Sequence, residues 1–154
     1  MSDTTTIQSL QIGSELRSRP RLMTRERMRW YVDVQPTVAA DDGRVHQGEP
    51  TIHDDDDFAK AQGLPGIIAD GMISTNWILD LLLGTFGEAF TRKGKLRTKY
   101  IAPIFEDQKV TSCAKVTAIQ KNGGETEYHL EVWCESDGAA KLTVGDAVAY
   151  LPAR

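Results

Sequence analysis

The sequence predicts an α+β fold in which one long apolar helix is wrapped by a curved antiparallel sheet. Three observations predict it. A run from about Gly71 to Phe90 carries Met72, Ile73, Trp77, Ile78, Leu81, Leu82 and Phe86 around much of its circumference, the pattern of a helix that must be covered. The chain after residue 94 reads as successive strands broken by short turns, the pattern of an antiparallel meander. An apolar helix and a half-apolar sheet each need a partner, and each supplies the other's.

The elements follow in chain order. Residues 1–9 are polar and threonine-rich and read as a disordered tail, and residues 10–154 read as a single domain. Leu10 to Leu22 reads as extended. Thr24 caps a helix from Arg25 to about Val34, with Glu26 in its first turn and Met28, Tyr31 and Val32 on one face. Pro36 ends it. Residues 37–52 form a loop with Asp41-Asp42-Gly43 as its turn. A short helix is expected over Asp54 to Ala61, with aspartates at its positive end and Gly63 as its C-terminal cap. The central helix follows, with Gly84 and Gly87 near its end. Strands are expected over Lys95–Ala102, Gln108–Gln120, Thr126–Glu135 and Ala140–Leu151. Asn122-Gly123-Gly124 is a hairpin turn and Asp137-Gly138 a second turn. In the second strand Val110, Ala114 and Val116 share a face. In the third, Tyr128, Leu130 and Val132 face one way and Glu127, His129, Glu131 and Glu135 the other, with Trp133 breaking the polar face.

Composition narrows the function. The chain has 154 residues, 40% hydrophobic and 26% charged, with a net charge of −4. That balance speaks against a nucleic-acid surface and against an anionic membrane as partner. Cys113 and Cys134 sit in separate strands without Cys-x-x-Cys spacing, so they read as buried reduced thiols and not as a metal site or disulfide. The most apolar run, Trp77 to Leu83, is too short to span a bilayer and contains Asp80. With no signal peptide in view, the expected location is cytoplasmic.

The chemistry concentrates between Gly48 and Ser74. His53 lies at a loop-to-helix junction beside the acidic run Asp54 to Asp57, where it reads either as an exposed or capping residue or as a proton carrier. Asp70-Gly71 opens the central helix. Asp70 is either its N-cap or a carboxylate aimed into a pocket. Gly71 exposes a backbone N–H at the positive helix end, a site for an oxyanion. Glu49 is a second loop acid. His46 and His129 are weaker candidates, and Trp30, Trp77 and Trp133 read as packing residues. The acidic run lacks the ligand spacing of a calcium loop. Phosphate-binding and dinucleotide-binding glycine motifs are missing.

The histidine loop Gly48 to Ala59, the segment Ile68-Ala69-Asp70-Gly71-Met72 and the strand Leu96-Arg97-Thr98-Lys99-Tyr100-Ile101-Ala102-Pro103, followed by Glu106-Asp107, together resemble the MaoC-like hydratase/dehydratases of the hot-dog fold. The resemblance runs from about Ser14 to Leu151. It implies reversible addition of water across the double bond of an α,β-unsaturated acyl thioester, with coenzyme A as the carrier of the small-molecule substrate and no metal or redox cofactor. It implies a homodimer or higher homo-oligomer. By similarity His53 is the catalytic histidine and Gly71 the oxyanion glycine, with Met72, Ile73 and Asp55 as further substrate-binding residues. The family's aspartate, five residues before the histidine, is Gly48 here, and its histidine before the helix glycine is Asp70. Asp70, or failing it Glu49, is therefore expected to supply the missing carboxylate. Three other readings remain open: a non-catalytic subunit of a heteromeric hydratase, a hot-dog thioesterase, and a lyase or isomerase of a substrate that is not a thioester.

Overall fold

A computed structural model describes residues 10–33 and 50–152. The expected tail, the Asp41-Asp42-Gly43 turn, His46, Gly48 and Glu49 lie outside the described residues. The elements are β1 (Glu15–Arg17), β2 (Arg21–Leu22), α1 (Arg25–Asp33), α2 (Asp56–Ala61), α3 (Gly71–Phe86), α4 (Glu88–Lys93), β3 (Lys95–Tyr100), β4 (Lys109–Asn122), β5 (Glu125–Ser136) and β6 (Lys141–Pro152).

One antiparallel sheet runs in the order β1-β4-β5-β6-β3, with β2 also paired to β4. The expected hairpin joins β4 to β5. Asn122 pairs with Glu125, and Gly123 and Gly124 take φ of 52° and 98°, the left-handed values such a tight loop requires. At the β5–β6 turn the left-handed residue is Ala139, at φ 59°, and not Gly138. β3 is an edge strand. It stops at Tyr100, short of the expected Ala102, because Ile101 N–H and Ala102 N–H both turn to Leu142 O, at 3.0 and 3.1 Å.

Helix α3 lies against the inner face of this sheet. Its buried residues Ser74, Ile78, Leu82 and Phe86 recur every fourth position and form one stripe. Across from them sit Val110, Ala114 and Val116 of β4, Leu130 and Val132 of β5, and Ala147 and Ala149 of β6, all buried. The stripe narrows the expected apolar surface around much of the circumference: Met72 and Asp80 face outward and are exposed. Trp77, on the flank, is shielded by the guanidinium groups of Arg21 and Arg27, 5.6 and 5.9 Å from its ring. The helix also ends earlier than expected. Gly87 takes φ 62°, donates its N–H to Leu83 O at 2.8 Å, and starts the separate helix α4. Among the described residues no helix is long and apolar enough to cross a membrane.

Candidate active site

The acidic run folds by assigning each of its first three carboxylates a fixed task. Asp54 Oδ1 accepts from the Thr51 N–H at 2.7 Å and from the Thr51 hydroxyl at 2.9 Å, closing the turn that carries His53. Asp55 accepts from the Phe58 N–H at 2.7 Å and caps α2. This turn and cap explain why α2 begins at Asp56 and not at Asp54. Asp56 accepts from the Ile67 N–H at 3.1 Å and from Arg25 at 2.8 Å. The same guanidinium grips Glu106, so α1, α2 and the loop before β4 are locked together. Arg25 holds the Asp56 carboxyl below its ordinary range. These three aspartates are therefore tied into the structure by named partners.

The latch through Ile67 fixes the next residue, which matters most. Ile68 donates its N–H to Ile52 O at 3.0 Å and bridges Phe105. Its carbonyl stands 2.8 Å from His53 Nδ1. A carbonyl only accepts, so the proton of a neutral His53 sits on Nδ1, and Nε2 presents its lone pair. Nε2 faces Asp70 Oδ2 at 4.0 Å. Asp70 Oδ1 accepts from the Met72 N–H at 2.8 Å and caps α3. Asp70 thus holds both roles that its position suggests, N-cap with one oxygen and partner of the histidine with the other.

These groups line a cleft of about 570 Å³, between the extended segment 68–71, the end of β3 and the residues after it. Leu64, Ile68, Ala69, Ile101 and Ile104 make it mostly apolar, while His53 and Asp70 supply its acid-base groups. Both are only about a quarter exposed, at 25% and 21%. Gly71 lines the cleft at the positive end of α3. Among the described residues its N–H has no hydrogen-bond partner. Tyr100 packs on it so closely that a Cβ at position 71 would lie 2.6 Å from the ring. The Tyr100 hydroxyl meets Thr75 Oγ1 at 3.0 Å and Met72 Sδ at 3.1 Å.

His53, Asp70 and Gly71 are therefore brought together, and Glu49 lies outside the described residues. Asp55, Met72 and Ile73 are not among the residues lining this cleft. The Asp55 carboxylate is committed to its cap, Met72 turns outward on α3, and Ile73 is buried on the flank that lines a second groove with Tyr31, Asn76 and Trp77. In that groove, burial and then the nearby Asp70 charge push the Tyr31 phenol up. Sequence reasoning missed Ser74, Thr143 and the Ile68 carbonyl. The first two are ordinary alcohols in apolar elements, and only the strand register brings Thr143 under the helix. Among the described residues no three His, Cys, Asp or Glu side chains are grouped to hold a metal ion.

Neither a protein-family model nor a curated protein matches the sequence. Solved structures do match the fold. A MaoC-like dehydratase from Rhodospirillum rubrum aligns over 96% of this chain and 96% of its own, with a TM-score of 0.72 at 13% identity. The (R)-hydratase from A. caviae involved in PHA biosynthesis covers 94% of this chain and 99% of its own, with a TM-score of 0.65 at 19% identity. The HadBC complex of Mycobacterium tuberculosis, a 3R-hydroxyacyl-ACP dehydratase, aligns over 91% of this chain and 96% of its own, with a TM-score of 0.64 at 13% identity. The chain has the hot-dog fold of these MaoC-like dehydratases and R-hydratases.

Proposed function

We propose that this chain is a hydratase/dehydratase that adds water to, and removes it from, the C2–C3 double bond of an α,β-unsaturated acyl thioester carried by coenzyme A. The observation that carries the reading is the pairing of His53 Nε2 with Asp70 Oδ2 across 4.0 Å at the mouth of the α3 N-terminus. Both atoms accept hydrogen bonds. One water beside them, with two hydrogen bonds of about 2.8 Å meeting at about 90°, spans that gap. Both its protons then point at the pair, and its oxygen lone pairs point into the cleft.

The reaction balances on these groups. As the water oxygen bonds to C3, His53 Nε2 takes one of its protons. The C2–C3 π electrons move toward the thioester carbonyl, whose oxygen gains charge beside the Gly71 N–H and the positive helix end. The imidazolium, steadied by the Asp70 carboxylate, returns a proton to C2. Dehydration is the same path reversed. Asp70 stands in for the carboxylate that the related family carries five residues before its histidine, and Gly71 keeps the oxyanion role. The steps use side chains and backbone alone, so neither metal nor redox cofactor is assigned.

The apolar lining suits an acyl chain. The edge strand β3 borders the cleft through Tyr100, so a second copy laid along that edge would close it. We assign a homodimer on this ground, and light scattering at micromolar concentration tests it. The activity test is a panel of enoyl-CoAs followed by loss of enoyl absorbance, with a thiol-reactive dye in parallel. Hydration predicts loss of absorbance without free thiol. Thiol release would make the chain a thioesterase, and silence in both channels would make it a non-catalytic binding subunit or an enzyme of other substrates.

A further inference from the structure

The only buried polar side chains among the described residues are Ser74, Ser112 and Thr143. They do not scatter through the core. Ser112 pairs across the sheet with Cys134, Cys134 with Thr143, and Thr143 with Tyr100. These four residues form one rung across four strands, and the start of α3 rests on it. Cys134 Sγ approaches Ser74 O at 3.6 Å and Ser112 Oγ at 3.5 Å. Thr143 Oγ1 meets Ser74 Oγ at 2.7 Å, and Tyr100 packs on Gly71.

Proton counting gives the rung a direction. Ser74 Oγ donates to Gly71 O at 2.7 Å. A serine hydroxyl has one proton, so in the contact with Thr143 the threonine donates. The wire runs from Thr143 on β6 through Ser74 to the Gly71 carbonyl. Gly71 has no side chain to limit its backbone, and its own N–H belongs to the preceding peptide unit, so a hold on its carbonyl reaches that N–H through the two backbone dihedrals of Gly71. A polar chain buried in an apolar core is costly unless every member is satisfied, and satisfied it fixes one arrangement.

We propose that Thr143 and Ser74 are positioning residues: by holding the Gly71 carbonyl they restrict ψ of Gly71 and so limit the swing of the preceding peptide unit, whose Gly71 N–H is turned to the substrate carbonyl. The inference rests on the hydration reading for its catalytic consequence, though the brace itself is testable without it. The experiment compares Thr143→Val, which keeps the shape and removes the donor, with Thr143→Ser, which keeps the donor and removes a methyl. An interaction that only aims an oxyanion donor should act on the transition state, so Thr143→Val is expected to lower kcat about 10-fold with KM nearly unchanged. Thr143→Ser is expected to stay within about 2-fold of wild type, the rescue that a hydrogen-bond role demands. Amide NMR of the unliganded proteins supplies the second readout: the Gly71 and Met72 signals move or broaden in Thr143→Val and hold in Thr143→Ser. Wild-type kcat in Thr143→Val, or equal losses in both variants, would overturn the brace as a catalytic device. If the wild-type protein hydrates no enoyl-CoA, the hydration reading falls by itself. The amide comparison then decides the brace alone, with unmoved Gly71 signals in Thr143→Val counting against it.

Discussion

Asp70 and Glu135 are both partly buried carboxylates beside a nitrogen-bearing ring, yet their surroundings differ in kind. On the outer face of the sheet, Glu135 Oε2 accepts from the Trp133 indole at 2.6 Å and Oε1 pairs with Arg17. The Lys141 ammonium lies 4.7 Å from the same indole and also pairs with Glu131. The Trp133 hydrogen bond, helped by Arg17, holds the Glu135 carboxyl below its ordinary range. Each of these groups finds a partner inside the cluster. At Asp70 one oxygen caps the helix and the other faces an imidazole lone pair across a gap the size of a shared water. The contrast teaches that a carboxylate near an aromatic nitrogen is structural when its partners are donors that saturate it. At Asp70 the ring instead turns a lone pair toward the carboxylate, and the hydration reading places a water between the two.

Substitutions at the two places should therefore split cleanly. His53→Ala is the largest break: general acid-base catalysis contributes roughly 10²–10⁴-fold, so kcat for enoyl-CoA hydration falls by that order, with a smaller stability loss of about 1 kcal/mol from the hydrogen bond to the Ile68 carbonyl. Gly71→Ala comes next. Its methyl would drive into the Tyr100 ring 2.6 Å away, and both kcat and melting temperature fall. Asp70→Asn sharpens the double role of this residue. Asparagine caps a helix as well as aspartate does, so stability stays within about 0.5 kcal/mol while kcat drops. Asp70→Ala loses the cap too, at about 1 kcal/mol in denaturant unfolding.

The outer cluster answers in the opposite channel. Glu135→Gln leaves turnover untouched and costs about 1 kcal/mol of stability at neutral pH, because charged partners lose a charged acceptor. Since the folded Glu135 carboxyl is held low, its contribution is complete above the ordinary glutamate range and is lost as pH falls through the lowered value. The wild-type advantage over Glu135→Gln in urea melts should therefore shrink below about pH 4. An advantage that grows on acidification would contradict the assignment.

Local signals made much of this legible. The Asn122-Gly123-Gly124 turn and the alternation around Leu130 mark the β4–β5 hairpin directly in the chain. The apolar run after Gly71 marks α3, and His53, Asp70 and Gly71, singled out by type and position, line one cleft. What stayed hidden depends on distant partners. Helical phase, set by the sheet, decides that Ile73 turns into the core and Met72 outward. Strand register decides that Thr143 lies opposite Tyr100 and beneath Ser74. The tautomer of His53 depends on the Ile68 carbonyl, fifteen residues away. The family resemblance put Asp55 among the substrate-binding residues, but the helix start beside it engages its carboxylate as a cap.

The central claim is that His53 and Asp70 act as one unit on one water. A double-mutant cycle on kcat for a short enoyl-CoA, using His53→Ala, Asp70→Asn and the pair, measures this directly. Residues that act as a unit are strongly non-additive, so the double variant should be no slower than His53→Ala alone. Losses that multiply, with Asp70→Asn slowing His53→Ala as much as it slows wild type, would show that the two residues work apart and would contradict the account.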